Sequence, residues 1–185
     1  MKAVLLSVNP PPCEQMASRK KKVEVRKTKP KLPVPFKAYI YCTKGKPPYL
    51  QSRNNMFFYL EDKDTIGGHG PGLYQRLNGT VIGEFVCEKI YYRNCNIHDF
   101  DTITLEELSE LSCVSEDNLL KYADGGSLYG LEISNLKIYE QPKELSEFRL
   151  YNTRAYYDEE LRLPMPTHEI SRPPQSWCYV EELQG

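Results

Sequence analysis

The sequence lacks several features that would narrow its role at once. No Cys-x-x-Cys pair occurs among its six cysteines, at positions 13, 42, 87, 95, 113 and 178. The spacing suggests neither a zinc site nor a disulfide framework. Cys42 and Cys87 lie within apolar strand patterns, so reduced, buried thiols of a cytoplasmic protein are expected. The three histidines, His69, His98 and His168, are scattered without metal-ligand spacing, although Asp99 and Asp101 stand beside His98. No metal and no cofactor are expected. No apolar run approaches the roughly 20 residues needed to cross a bilayer. The apolar start, Met1–Val8, is too short for a secretory core and reads as a buried strand. Internal repeats and a βαβ rhythm are also missing. The Gly67-Gly68-His69-Gly70-Pro71-Gly72 segment has neither Walker nor Rossmann spacing and no evident helix after it, so it reads as a loop.

What is present is a chain of 185 residues, 40% hydrophobic, enough for one compact domain over 1–185 with length to spare for loops. Fourteen prolines and 14 tyrosines point to ordered loops and to half-buried strands or stacking surfaces. The net charge of −1 hides a strong polarity. Residues 1–50 hold 12 Lys and Arg against two acids, Glu14 and Glu24, whereas the remainder holds 12 against 23 acids. Such asymmetry predicts an oriented electrostatic surface.

Along the chain, Ala3–Val8 reads as a strand. Pro10-Pro11-Pro12 can open a short helix running to Ser18. Lys22–Lys27 alternates polar and β-branched residues, which predicts a half-buried strand with Val23 and Val25 inward and Lys22, Glu24 and Arg26 on the opposite face. Phe36–Thr43, Met56–Leu60, Gly79–Ile90, Leu128–Tyr139 and Ser176–Glu181 read as further strands. Thr104-Leu105-Glu106-Glu107 predicts a capping box and a helix to about Ser112. Ser115–Asn118 opens a second helix through about Ala123, which Asp124-Gly125-Gly126 stops. Segment 44–78 reads as an insert and 145–172 as a long loop with a helical turn near Asp158–Arg162. About six strands with two or three peripheral helices predict an α+β domain built on a small mixed barrel.

Ser18-Arg19-Lys20-Lys21-Lys22-Val23-Glu24-Val25-Arg26 resembles the Gly-x-Lys-x-x-Glu-x-Arg signature of ASCH domains. Lys21, Glu24 and Arg26 occupy its charged positions. Gly79–Phe85 is similar to the second family strand, and Tyr129–Ile133 and Pro173–Val180 to its closing strands. The resemblance covers residues 1–43, 79–140 and 173–182, and it implies a PUA-like β-barrel. Relatives in that superfamily bind RNA or read modified bases, while some small ASCH proteins are amidohydrolases on acylated cytidine and others are described as ribonucleases. Arg19 stands where the signature has glycine, a position suited to positive φ. Glu24 stands where the small amidohydrolases carry threonine. Glu116 is the nearest match to their catalytic glutamate.

The chemistry of these residues suits a polyanion. Lys21 and Arg26 match a phosphate or a developing oxyanion. A carboxylate between two cations is a poor proton donor and is better placed to orient them or to accept a hydrogen bond from a base or sugar. The bland alternative is an exposed ion-pair ladder. The wider run from Arg19 to Lys31 has eight bases and one acid, and phosphate neutralisation by such a run would be salt-sensitive. The expected interface therefore comprises Arg19, Lys20, Lys21, Lys22, Glu24, Arg26 and Lys27, with Tyr41, or its neighbour Tyr39, as a stacking residue. In the next strand, alternation is expected to turn one of these tyrosines inward. Trp177 reads as a core or rim aromatic. The expected function is binding of nucleic acid, RNA favoured, or of a modified nucleotide. The alternative is a hydrolase using Lys21 and Glu24, with Ser7 as a substitute hydroxyl. A protein partner on the acidic C-terminal part is a further option.

Overall fold

The computed structural model describes residues 1–44, 49–53, 56–60, 75–96, 100–151, 157–158, 163–164 and 169–183. The elements in chain order are β1 (Lys2–Val8), α1 (Pro10–Ala17), β2 (Val23–Arg26), β3 (Phe36–Cys42), β4 (Tyr49–Arg53), β5 (Met56–Leu60), β6 (Gln75–Arg76), β7 (Val81–Cys87) and β8 (Ile90–Asn94). There follow α2 (Leu105–Ser112), α3 (Glu116–Ala123), β9 (Ser127–Glu132), β10 (Ser134–Lys143), a 3₁₀ turn at Leu145–Glu147, β11 (Tyr157–Asp158), β12 (Leu163–Pro164) and β13 (Trp177–Glu181).

The main sheet has five strands in the order β10-β7-β3-β1-β13. β1 runs parallel to β3 and antiparallel to β13. Its near-continuous apolar sequence follows from this central place, because both of its faces are covered. Val4, Leu6 and Val8 pack with Cys13 and Met16 of α1 on one side. Ala3 and Leu5 pack with Tyr39, Tyr41 and Phe148 on the other. Helix α1 begins at Pro10, where missing N–H groups cost nothing, and turns Pro10, Cys13 and Met16 inward.

The second sheet has three strands in the order β2-β9-β8, and two smaller ladders join β5-β4-β6 and β11-β12. Among the described residues these ladders do not close into one continuous barrel. Two stretches expected as single strands each divide between sheets. Gly79–Ile90 breaks at Glu88–Lys89 into β7 and β8, and Leu128–Tyr139 breaks at Ile133 into β9 and β10. The breaks lie side by side, with Glu132 N donating to Lys89 O at 3.0 Å, so the chain turns the same corner twice. Helices α2 and α3 cover the outer face of the small sheet through Leu108, Leu119 and Ala123, packed on Val23, Val25 and Leu128. The expected capping box at α2 is present, with Thr104 and Glu107 bonded reciprocally. Gly130 makes room for this packing, since a Cβ there would lie 2.7 Å from Val23 Cγ1.

Among the described residues no helix is long and apolar enough to cross a membrane. Of the helical turn expected near Asp158–Arg162, Asp158 instead ends the short strand β11, and residues 159–162 lie outside the described residues, as do the glycine-rich segment 67–72 and all three histidines.

Candidate functional site

Strand β2 carries the site. It was expected to be half-buried, but all four residues are buried. Its outer face meets α2 and α3, while the face carrying Glu24 and Arg26 is closed by the end of β1 and by the segment entering β13. The side chains of Lys21, Glu24 and Arg26 are only 2%, 8% and 8% exposed. The bland alternative, an exposed ion-pair ladder, is thereby overturned.

Each oxygen of Glu24 holds one cation. Arg26 Nη2 lies 2.8 Å from Oε1 and Lys21 Nζ lies 3.3 Å from Oε2. The cations also reach outward. Lys21 Nζ donates to Ser112 O at 2.7 Å, at the last residue of α2. Arg26 Nη2 donates to Ser7 O at 2.8 Å, and Nη1 donates to Ser176 O at 3.2 Å. The triad thus ties together the end of β1, the end of α2 and the approach to β13. Arg26 Nε is buried with no acceptor among the described residues. Two cations and one carboxylate leave the cluster with one surplus positive charge, taken out of water.

A cavity of about 320 Å³ opens above this cluster. Lys21, Glu24 and Arg26 form its polar floor. Ser7, Asn9 and Thr43 line it from the ends of β1 and β3, and Val114, Leu119 and Tyr122 line it from α3 and the segment before it, a more apolar contribution. Gln175 contributes at the rim. Thr43 Oγ1 donates to Asn9 Oδ1 at 3.1 Å. Ser7 Oγ donates to Pro174 O at 2.6 Å, so its proton is already held by a backbone acceptor. Cys13 lies behind the floor and is fully buried. Burial pushes its thiol well above the ordinary range, helped by the hydrogen bond and charge of Cys42, so it is no reactive thiolate.

The other expected site residues scatter. Arg19 adopts φ 61°, the positive value that the signature glycine would supply, and its Nη2 reaches Leu136 O at 3.4 Å, away from the cavity. Lys20 lies 4.0 Å from Glu14 at the surface. Lys22 is exposed and does not join the triad, contrary to its expected place beside Glu24 and Arg26. Lys27 is exposed, with Nζ 5.2 Å from the centroid of the Tyr122 ring. Glu116 is exposed in the first turn of α3 and does not line the cavity. Tyr41 is not a stacking residue at this site. It is 1% exposed, in the core that β1 and β3 form with Phe148. Tyr39, two residues earlier, shares that face, because alternation sends i and i+2 the same way. Trp177 packs edge-on against Tyr179 and donates to Thr28 Oγ1 at 3.1 Å.

Tyr122, Asn9, Thr43 and Gln175 were not anticipated. For Tyr122 a signal existed: at helical spacing from Leu119 and next to Ala123, it flanks the buried stripe of α3. Among the described residues no cluster of three or more His, Cys, Asp or Glu could hold a metal, and the cysteines there are free thiols.

No family model and no curated protein matches the chain. Solved structures do. A Ser→Ala variant of ZmASCH from Zymomonas mobilis superposes with a TM-score of 0.55 at 16% identity, covering 97% of this chain and 89% of that one. The chain has an ASCH-type fold. A Tyr→Phe variant of the same protein gives a TM-score of 0.50 at 16% identity, over 98% and 92% of the two chains. At this identity the likeness concerns the fold, an α+β architecture consistent with the PUA-like expectation.

Proposed function

We propose that the cavity above Lys21, Glu24 and Arg26 binds one nucleotide, either within single-stranded nucleic acid, RNA favoured, or as a free modified nucleotide. One observation carries this reading: the surplus positive charge is buried at the floor of an open cavity. Burying charge without full compensation is costly, and an entering anion would supply the missing charge. Lys and Arg donate charge-assisted hydrogen bonds to phosphate, and Glu24 fixes both in place. A volume of about 320 Å³ is at the small end of ligand pockets. It suits one nucleotide rather than a duplex. The exposed lysines at 20, 22, 27 and 29 would draw the remaining phosphates by longer-range attraction.

The hydrolase alternative gains less from this arrangement. Both oxygens of Glu24 are engaged by cations, and the Ser7 hydroxyl donates to a backbone carbonyl, Pro174 O, rather than to a base. Turnover of labelled RNA or acylated cytidine that disappears in Glu24→Gln would reinstate it.

Fluorescence anisotropy with short single-stranded RNA and DNA over a salt series tests binding. Affinity should fall steeply with salt. It should drop at least about tenfold in Lys21→Ala with Arg26→Glu, and by less in Lys22→Glu with Lys27→Glu, whose side chains are exposed and do not threaten folding. Absence of binding at low salt, or binding that neither pair alters, would sink the proposal.

A further inference from the structure

We infer that Tyr122 is a stacking platform that makes the site select an unpaired base. The inference rests on the nucleotide reading above and specifies how the base is held. Helix α3 buries Leu119 and Ala123, yet leaves Tyr122, which lines the cavity, 41% exposed. Leu119 and Val114 continue the same wall. The cavity therefore has two chemical halves: a buried cationic floor, and an apolar wall ending in an aromatic ring at the surface. A ligand matching both halves carries an anion joined to a flat ring, with the anion inward and the ring outward. Lys27, with Nζ 5.2 Å from the ring centroid, adds a cation beside the ring that can meet an adjoining phosphate.

A base can stack on Tyr122 only with one face free. In a duplex both faces are covered by neighbouring pairs, so a duplex must first surrender a base, which costs unstacking energy. Single strands, looped-out nucleotides and strand ends pay little of that cost.

The test uses the full chain and a single-stranded RNA hexamer carrying one 2-aminopurine. The same hexamer annealed to its complement serves as the duplex arm. Wild type should bind the single strand at least about tenfold more tightly than the duplex, with a change in 2-aminopurine fluorescence that reports stacking. Tyr122→Phe should retain both signals. Tyr122→Ala should lose about tenfold or more in affinity with an unchanged salt slope, since no phosphate contact is removed. Equal binding by Tyr122→Ala and wild type, a loss accompanied by a shallower salt slope, or equal affinity for duplex and single strand overturns the inference. Should Tyr122→Ala fail to fold, Tyr122→Leu, which keeps bulk without the aromatic face, takes its place with the same expected loss. If wild type binds no hexamer even at low salt, the nucleotide reading itself fails, and the platform fails with it.

Discussion

Two clusters of three charges sit on opposite sides of β1 and β3, and they are built differently. At the cavity, Lys21, Glu24 and Arg26 are less than 10% exposed and carry one surplus cation. On the other side, Lys37 lies 2.9 Å from Glu182 and 3.7 Å from Glu84, and all three are 21–27% exposed. That cluster carries a surplus acid, and water reaches it. Tyr139 donates to Glu84 at 2.6 Å, and Leu183 N donates to Tyr39 Oη at 2.9 Å. The Lys37 cluster therefore clamps the C-terminal segment onto the main sheet through pairs that stay in partial contact with water. The Lys21 cluster incurs a far larger desolvation cost in front of an open cavity. The Lys21 triad also ties β1, α2 and the approach to β13 together, but a surplus cation at the floor of a cavity is more than that tie requires.

The largest expected effect separates the two clusters by stability. Glu24→Gln leaves two buried cations without a counter-charge and should cost about 3–5 kcal/mol, read by urea unfolding. Glu84→Gln should cost about 1 kcal/mol or less. Equal losses would break the distinction. The second effect is on affinity. Lys21→Met removes the surplus charge while Arg26 still partners Glu24, so single-stranded RNA should bind about tenfold more weakly, with a smaller stability loss than in Glu24→Gln. Lys37→Met should leave RNA affinity unchanged.

The smallest effect concerns pH. Burial pulls the Lys37 ammonium pKa down, but the Glu182 hydrogen bond and the Glu84 charge outweigh it, and the net direction is up from 10.5. A raised folded-state value means the Lys37 contribution is fully present below about 10.5 and is lost as pH rises through the raised value. Melting curves of wild type and Lys37→Met should keep a constant gap through neutral pH and converge only in strong alkali. A gap that closes near neutral pH would contradict the clamp.

Much of this was legible in the sequence, for identifiable reasons. Local signals were reliable where one residue type has one physical role: the prolines opening α1, the Thr104 and Glu107 cap, and the Asp124-Gly125 stop. The spacing of Lys21, Glu24 and Arg26 was also legible as a motif. Their burial was not, because it depends on Ser7, Ser112 and Ser176, which the chain brings in from distant positions. The corner turns at Glu88–Lys89 and Ile133 were missed because no glycine or proline interrupts the strand pattern there. Tyr41 was misplaced by an error of alternation and by its distant core partner, Phe148. The place of Tyr122 beside the buried stripe of α3 was available, but the cavity it lines exists only in three dimensions.

The most direct measurement is calorimetric titration, at low salt, of wild type and Lys21→Met with uridine 5′-monophosphate and with uridine. Wild type should bind the monophosphate at least about tenfold more tightly than the nucleoside, and Lys21→Met should lose most of that difference. Equal affinity of wild type for the two ligands, or a phosphate preference untouched by Lys21→Met, would contradict an anion-seeking floor.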